Sequence, residues 1–380
     1  MEKMKILHLL ATAGVGGIEV LLKNHDEYSK HENVYVCVWD GGLIADELKK
    51  RNRKVIILKK TNAQFLSTLK TFLKICKEEK IQAIVVHHES PMLRILMVAL
   101  KLIRPNMPVI AYAHANALVL CNENKPKGFF LRKLIQQACF RTVDGIIAIS
   151  NSVKNSLENF LKVNSQKIEV IYNGVPLKEF SRTSLENADE KYCFTYVGRL
   201  SEEKGVQNII HLFSTLDKEL LEKIRLQIVG DGPYRTYLTA LAEKKGLTDV
   251  ISFMGNRTDV SDILSKSHFF VHFPTCEEGF GIAVVEAMAA GSICVCLNKG
   301  AIPEIITHGK NGFLLDTLSP EEFKETISYL MSHISSDTLK AVQNNAVNRA
   351  NDFSIELFSE KFDKYICNLC HKKISIFRFF

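Results

Sequence analysis

The segment with the strongest chemical signature runs from residue 274 to 291 and carries glutamates among glycines. It follows an apolar run typical of a buried strand and opens a run typical of a helix. Gly279 and Gly281 would let the backbone approach a ligand closely, and the first amides of a helix lack partners within the helix. Such amides attract anions. The segment therefore predicts a pyrophosphate site at the start of a helix.

Two glutamates of this segment are spaced to hold the rest of a nucleotide sugar. Glu286 lies five residues after Gly281, roughly 7 Å along a helix, which is about the step from a phosphate to a ribose. Its carboxylate can accept hydrogen bonds from ribose hydroxyls. Glu278 precedes the helix and is placed to meet the donor sugar. Paired glutamates usually mark a solvated helix face, but the glycines and the strand-to-helix context favour a ligand site.

A second cluster, Arg199 and Lys204 between Gly198 and Gly205, also follows a predicted strand. Their charges can neutralise a departing diphosphate, as a metal ion does in other enzymes, so we expect no metal requirement. A lone Arg or Lys in a turn is usually only a solvated surface residue. The glutamates downstream favour a functional interpretation.

Composition and length predict where such a chain works. The 380 residues are 46% apolar and 24% charged, which favours two globular domains. No apolar stretch approaches the roughly 18 residues that span a bilayer. Residues 6–10 resemble a strand rather than a signal peptide, so we expect a cytoplasmic protein without structural disulfides despite ten cysteines. Cys367, Cys370 and His371 match a haem-attachment spacing, but an amphipathic terminal helix is favoured.

The basic excess lies entirely in the first half of the chain. Residues 1–185 carry a net charge of +12 and residues 186–380 a net charge of −5. This asymmetry favours an anionic lipid surface or a phosphate-bearing acceptor, ahead of nucleic acid, although a merely solvated basic surface remains an equal alternative. Residues 125–134 and 371–380 interleave cations with aromatics and predict peripheral membrane binding. The alternative is that Phe129, Phe130 and Leu134 pack inside the first domain.

The elements that must position these residues alternate between strands and helices in both halves. Apolar runs at 5–10, 34–38, 55–58, 83–87, 109–113 and 145–149, then at 194–197, 225–229, 250–253, 269–272, 293–296 and 312–314, predict two parallel sheets. We expect an α/β fold with Rossmann-like domains at 1–180 and 190–360, joined by a polar linker within 177–192. A tail at 361–380 would return to the first domain. A binding site is expected in the cleft between the domains.

The combined motifs resemble the retaining GT-B glycosyltransferases of family 4. The matching residues are Gly198 to Leu200 with Lys204 and Gly205, residues 229–233, Glu278 to Gly281, and Glu286; upstream, residues 16–19, 149–152 and 172–175 also match. The similarity spans about residues 5–360. The resemblance implies that Arg199 and Lys204 bind the diphosphate, that Glu286 binds the ribose, that Glu278 with the amides of Phe280 and Gly281 binds the sugar, and that Gly16 and Gly17 approach the reacting centre.

The resemblance also places a histidine, here His114, near the anomeric carbon of the donor. An isolated histidine at a strand end is more often only a polar neighbour. His87 and His88, followed by Glu89, are weaker candidates for contact with the acceptor. Two departures from the family pattern, Ser292 for proline and Cys276 for serine, leave the chemical logic unchanged.

The function implied is transfer of a sugar, with retained anomeric configuration, from a nucleotide diphosphate donor to a glycan or lipid-linked acceptor in bacterial surface polysaccharide synthesis. Neither a metal nor another cofactor is expected. One alternative is a sugar-nucleotide epimerase of the same fold, which the spacing of the two glutamates disfavours. Another is an inactive partner subunit, which would tend to lose the charged donor-binding residues. A dehydrogenase is disfavoured because residues 14–17 do not spell the dinucleotide fingerprint.

Overall fold

The computed structural model describes residues 3–14, 16–61, 64–87, 90–117, 128–180 and 191–377. The chain forms two compact units, one comprising Met1–Gly174 with Ile355–Phe380 and the other Val175–Ser354. The predicted linker at 177–192 falls largely outside the described residues, and the units change at residue 175, ahead of it. Each unit is an α/β sandwich built on a parallel sheet, and the predicted fold class is confirmed.

The first unit contains seven strands and seven helices in its described part. The strands are β1 (Lys5–Leu10), β2 (Glu32–Cys37), β3 (Lys54–Ile57), β4 (Ala83–Val86), β5 (Val109–Ala113), β6 (Gly145–Ala148) and β7 (Ile168–Val170). The helices are α1 (Gly17–Tyr28), α2 (Leu43–Lys50), α3 (Phe65–Glu78), α4 (Pro91–Ile103), α5 (Phe129–Thr142), α6 (Asn151–Leu161) and, from the end of the chain, α15 (Ile355–Phe377). The sheet order is β3-β2-β1-β4-β5-β6-β7.

The second unit repeats the arrangement with six strands. They are β8 (Tyr192–Val197), β9 (Ile224–Val229), β10 (Ile251–Gly255), β11 (Phe269–His272), β12 (Ile293–Leu297) and β13 (Phe313–Leu315). The helices are α7 (Val206–Phe213), α8 (Lys218–Leu221), α9 (Arg235–Lys244), α10 (Val260–Ser265), α11 (Ile282–Ala289), α12 (Ile302–Ile305), α13 (Pro320–His333) and α14 (Asp337–Ala350). The order β10-β9-β8-β11-β12-β13 is that of a Rossmann sheet.

The strand sequences explain why both faces of each sheet are covered. Every residue of β5 and of β12 is buried, as expected for parallel strands between two helical layers. Several helices begin at a serine whose hydroxyl accepts a hydrogen bond from an amide of the first turn, such as Ser150 from Val153 and Ser319 from Glu322. The local sequence therefore sets where strands give way to helices.

The last helix, α15, belongs wholly to the first unit. It packs on α1, where Ser359 bonds to His25 at 2.9 Å, and on the turn after α1, where Asp363 accepts from the amide of Lys30 at 2.7 Å. The sequence predicts a second domain that ends at residue 360. The second unit instead ends at Ser354, because residues 355–360 are part of the continuous helix α15, which belongs to the first unit. Cys367 and Cys370 are buried on it, as an amphipathic helix requires. Within the described ranges, no helix combines the length and apolarity needed to cross a bilayer.

Candidate functional site

In the second unit, the loops that follow β8 and β11 leave the sheet at its topological switch point. These two strands are neighbours, yet their chain connections run to opposite sides. In open α/β sheets a ligand crevice forms at this position, beyond the carboxyl ends of the strands. The first loop carries Arg199 and Lys204, and the second carries Glu278. The structure therefore brings together two motifs that are 74 residues apart in the sequence.

Glycines hold the loop after β8 in place by allowing backbones to touch. A Cβ atom on Gly230 would lie 2.0 Å from the carbonyl oxygen of Gly198. Gly205, at a φ of +71°, would place a Cβ 2.0 Å from the carbonyl oxygen of Phe273, just past the end of β11. Only glycine fits such contacts. The ends of the loop are thus fixed against neighbouring backbone, which sets the position of Lys204.

Lys204 and Glu278 form the central ion pair of the site. The Lys204 Nζ lies 3.2 Å and 3.0 Å from the two carboxylate oxygens. His272 Nε2 lies 3.3 Å from Glu278 Oε2. Burial alone would raise the pKa of Glu278, but His272 and the charge of Lys204 outweigh it and hold that pKa well below its ordinary value. Glu278 is therefore ionised throughout the physiological range.

Arg199 is held much less firmly than Lys204. Its side chain is largely exposed, with Nη2 3.5 Å from Glu203 Oε1. The Ser201 hydroxyl donates to the same oxygen at 2.6 Å. Because this oxygen already accepts that short hydrogen bond, its interaction with the Arg199 guanidinium is weak. An exposed Arg with a loose partner can turn towards an anionic ligand at small cost.

The helix α11 begins beside Glu278. Gly281 precedes its first residue at a φ of +102°, a conformation that favours glycine. Phe280 is buried and packs edge-to-face on Phe353, with ring centroids 5.4 Å apart. The Ala301 amide donates to the Glu278 carbonyl at 3.0 Å. Buried anchors on both sides of Gly279 therefore hold the turn that presents the helix start.

Glu286 lies in the second turn of α11 and is half-buried. Within the described residues, its carboxylate has no hydrogen-bond or ion-pair partner. Burial, together with the negative charge of Glu179, raises the pKa of Glu286 to about 7. No described residue compensates the charge of this carboxylate, as is common where a ligand does so.

In the first unit, the predicted residues lie at the carboxyl edge of the other sheet. Gly16 caps α1 in extended backbone, and Gly17 is the first residue of that helix, which follows β1. His114 follows β5 directly, with its ring centroid 4.2 Å from that of Tyr112. The strand β4 lies between β1 and β5. The structure thus gathers these three residues at one edge.

His87 does not have the exposure that contact with an acceptor requires. Its side chain is fully buried, and its Nε2 lies 2.9 Å from Nδ1 of His8 on β1. The expectation of an acceptor contact at His87 is therefore wrong, because the residue directly follows the buried strand β4 and its ring packs against those of His8 and Tyr112. His88 and Glu89 lie outside the described residues.

Two family models match the chain with little overlap. "Glycosyltransferase Family 4" matches residues 15–179, and "Glycosyl transferases group 1" matches residues 178–349. The chain belongs to the group 1 glycosyltransferases. Both charged loops of the second unit fall inside the second match, and Gly16, Gly17 and His114 fall inside the first.

Known proteins resemble the chain in sequence or in fold. An uncharacterised glycosyltransferase of Methanocaldococcus jannaschii is 34% identical over 236 residues, which are 59% of each protein. The chain thus spans less than two thirds of that relative. HepE of Anabaena, solved in complex with UDP, has a TM-score of 0.83 at 18% identity, covering 96% of this chain and all of that one. WaaG, a glycosyltransferase involved in lipopolysaccharide biosynthesis, has a TM-score of 0.73 at 14% identity, covering 95% and 99%.

Sequence reasoning about this group 1 glycosyltransferase missed two residues of the site. His272 was assigned only to a strand, although its place as the last residue of β11 puts it directly before the Glu278 loop. Glu203 lies between Arg199 and Lys204 in sequence and contacts the former. A polar side chain at the carboxyl end of a strand beside the switch point was the available signal for His272.

Proposed function

We propose that the chain is a metal-independent, retaining glycosyltransferase that moves a sugar from a nucleoside diphosphate sugar to a glycan or lipid-linked acceptor. The observation that carries the proposal is the Lys204–Glu278 pair beside the start of α11. A cation and a carboxylate in contact, beside the amides at the start of a helix, can recognise a diphosphate and the sugar attached to it. The UDP complex of HepE, which shares the fold, supports this choice of ligand.

The cations are assigned to the diphosphate. Negative charge grows on the departing phosphate as the bond to the sugar breaks, and Lys204, Arg199 and the amides at the start of α11 can stabilise it. These groups need no proton transfer and no metal ion to act. The exposure of Arg199 leaves it able to move to the phosphate.

The glutamates are assigned to the two ends of the donor. Glu278 is ionised and can accept hydrogen bonds from sugar hydroxyls, together with the amides of Gly279, Phe280 and Gly281. Glu286 is assigned to the ribose, whose two hydroxyls can donate to its carboxylate. Ribose binding would require the ionised form, so donor binding should lower the pKa of Glu286 from about 7.

The reaction follows the family pattern. An acceptor hydroxyl forms a bond to the anomeric carbon on the face from which the nucleotide leaves. The bond from that carbon to the phosphate oxygen breaks, and the departing phosphate takes the hydroxyl proton. No protein nucleophile is needed, because alignment and charge stabilisation carry the catalysis. His114, Gly16 and Gly17 are assigned to the reacting centre.

The acceptor is proposed to belong to bacterial surface polysaccharide, and the protein to bind the cytoplasmic membrane face peripherally. The fold likeness to WaaG supports the setting. Phe130, Leu131 and Leu134 on α5 are 71%, 62% and 45% exposed, while Lys133 lies over the ring of Phe160. Exposed apolar side chains with flanking cations suit an anionic lipid interface. Lys125 and Lys127 of the same segment lie outside the described residues.

A panel of UDP- and GDP-sugars tests the proposal. We expect one donor to raise the melting temperature of the protein, because it binds the folded state, and to support transfer with retained configuration, read by NMR of the product. An altered sugar formed without acceptor would favour the epimerase. Binding of no nucleotide sugar would contradict the proposal and favour an inactive partner subunit.

A further inference from the structure

The carboxylate of Glu278 contacts two side-chain nitrogens, from Lys204 and His272, and the two side chains differ in how freely they can move. Lys204 reaches it from a surface loop on a long flexible side chain, which is one-third exposed. His272 reaches it from the end of β11 and is 4% exposed. The His272 ring is nearly parallel to that of Tyr196, with centroids 6.4 Å apart and planes at 12°, and to that of Phe270. Lys204 can therefore move, whereas His272 is fixed by packing.

The proposed function requires two things of Lys204 that conflict. Without ligand its ammonium neutralises Glu278, whose side chain is 15% exposed. With donor bound, the same ammonium is assigned to the diphosphate. A buried carboxylate that loses its partner without replacement is strongly destabilised. Something must therefore stay with Glu278 when Lys204 turns away.

We propose that His272 is a positioning residue that stays with Glu278 and thereby lets Lys204 move from this carboxylate to the diphosphate. The inference rests on the proposed function and deepens it. An ionised carboxylate only accepts hydrogen bonds, so the Nε2 that faces Glu278 carries the ring hydrogen. Glu278 Oε2 stays with His272, and Oε1 becomes available to a sugar hydroxyl once Lys204 leaves.

The length of the His272 contact agrees with this exchange. At 3.3 Å it is longer than the roughly 2.7–2.9 Å of a charge-assisted hydrogen bond, because Lys204 shares the carboxylate. Within the described residues, neither Nδ1 nor Nε2 of His272 makes a hydrogen bond, so Nε2 meets Glu278 as a loose polar contact, and no bond at Nδ1 holds the ring against a small rotation. Departure of Lys204 should shorten the contact.

The test measures the affinity of UDP and GDP by titration calorimetry, without catalysis. His272→Phe keeps a ring between Tyr196 and Phe270 but removes the N–H. We expect it to weaken binding of the nucleoside diphosphate about tenfold, because Lys204 is then retained on Glu278. His272→Gln restores an N–H near the same place and should recover most of the affinity. His268→Phe, directly before the first residue of β11 and so at the far end of the strand from the site, is the matched control and should bind like the wild type.

The decisive comparison repeats His272→Phe in a Glu278→Gln background. A neutral amide has no charge to compensate, so the exchange predicts that the phenylalanine then changes the affinity less than twofold, about the limit of a double-mutant comparison. A purely structural role predicts equal losses in both backgrounds and would overturn the inference. So would unchanged affinity in the single variant.

Two further outcomes are distinguishable. If phenylalanine prevents folding, His272→Met removes the N–H with a flexible side chain and gives the same comparison. If the wild-type chain binds neither UDP nor GDP, the proposed function is overturned and the exchange with it. Wild-type binding with no coupling between His272 and Glu278 overturns the exchange alone.

Discussion

Replacing Glu286 with glutamine should stabilise the protein while damaging its function. Burial and Glu179 raise the pKa of Glu286 from an ordinary value of 4.5 to about 7. The folded state therefore binds this proton more tightly than the unfolded state does. The favourable contribution of the carboxyl group is complete below about pH 4.5, is lost as the pH rises to 7, and does not return above it. Glutamine stays neutral and avoids that loss.

The size of the effect follows from the same shift. A change from 4.5 to about 7 corresponds to about 3 kcal/mol as an upper value. Solvent screens a half-buried side chain, so we expect a gain on the order of 1–2 kcal/mol at pH 8. For a unit of this size, that gain raises the melting temperature by about 2–8 °C. At pH 4.5 the two proteins should melt together.

The assay is thermal unfolding without ligand at pH 4.5 and pH 8, with Glu325→Gln as the control. Glu325 is exposed on α13, so its replacement should shift neither curve. Donor affinity is measured in parallel. The wild-type affinity for a nucleotide sugar should fall about tenfold from pH 8 to pH 6 as Glu286 takes up its proton, and Glu286→Gln should bind weakly at both.

Two results would refute this reasoning separately. If the glutamine variant gains no stability relative to the wild type between pH 4.5 and pH 8, burial does not raise the pKa of the Glu286 carboxyl group. Unchanged donor affinity in the folded variant, or in Glu286→Ala, would remove the ribose assignment.

Three other expectations concern charge and surface. Changing Arg199 and Lys204 together to alanine should lower kcat more than it weakens binding of a nucleoside monophosphate, since their charge meets the departing diphosphate; equal losses would contradict this. Transfer should survive EDTA, and rescue of a chelated enzyme by magnesium or manganese would show a metal requirement. The protein should sediment with phosphatidylglycerol-rich vesicles at low salt and less so after Phe130→Ser; equal recovery in the supernatant with neutral and anionic vesicles would exclude membrane docking.

Much of the fold could be predicted because parallel strands buried on both faces are continuous apolar runs in the sequence. The strands β1, β5 and β11 have the bounds that their apolar runs predict. The strand β7 was missed because it is only three residues long, lies at the sheet edge and carries the exposed Glu169. Its pattern is too short and too polar to separate from a loop. The start of α15 was missed because helical periodicity does not say which unit a helix packs on.

The site was predictable in its parts but not in its pairing. Strand ends, glycines and charged residues pointed to the two loops after β8 and β11. That Lys204 contacts Glu278 depends on the order of strands in the sheet, which juxtaposes residues 74 positions apart. The raised pKa of Glu286 likewise depends on burial by tertiary packing. The burial of the His87 side chain could not be predicted either, because the end of an apolar run is also a typical position for a ligand-binding residue.

The first unit contains α15, the last helix of the chain, and so cannot be completed until the second unit has been synthesised. The second unit is continuous from Val175 to Ser354, so its residues have all emerged before the helix that the first unit requires. Until α15 arrives, His25 lacks the hydroxyl of Ser359, and the amide of Lys30 lacks the carboxylate of Asp363. The first unit therefore remains incompletely folded while the second unit is translated. Nascent chains arrested before Ile355 should resist protease in the second unit and be cut in the first.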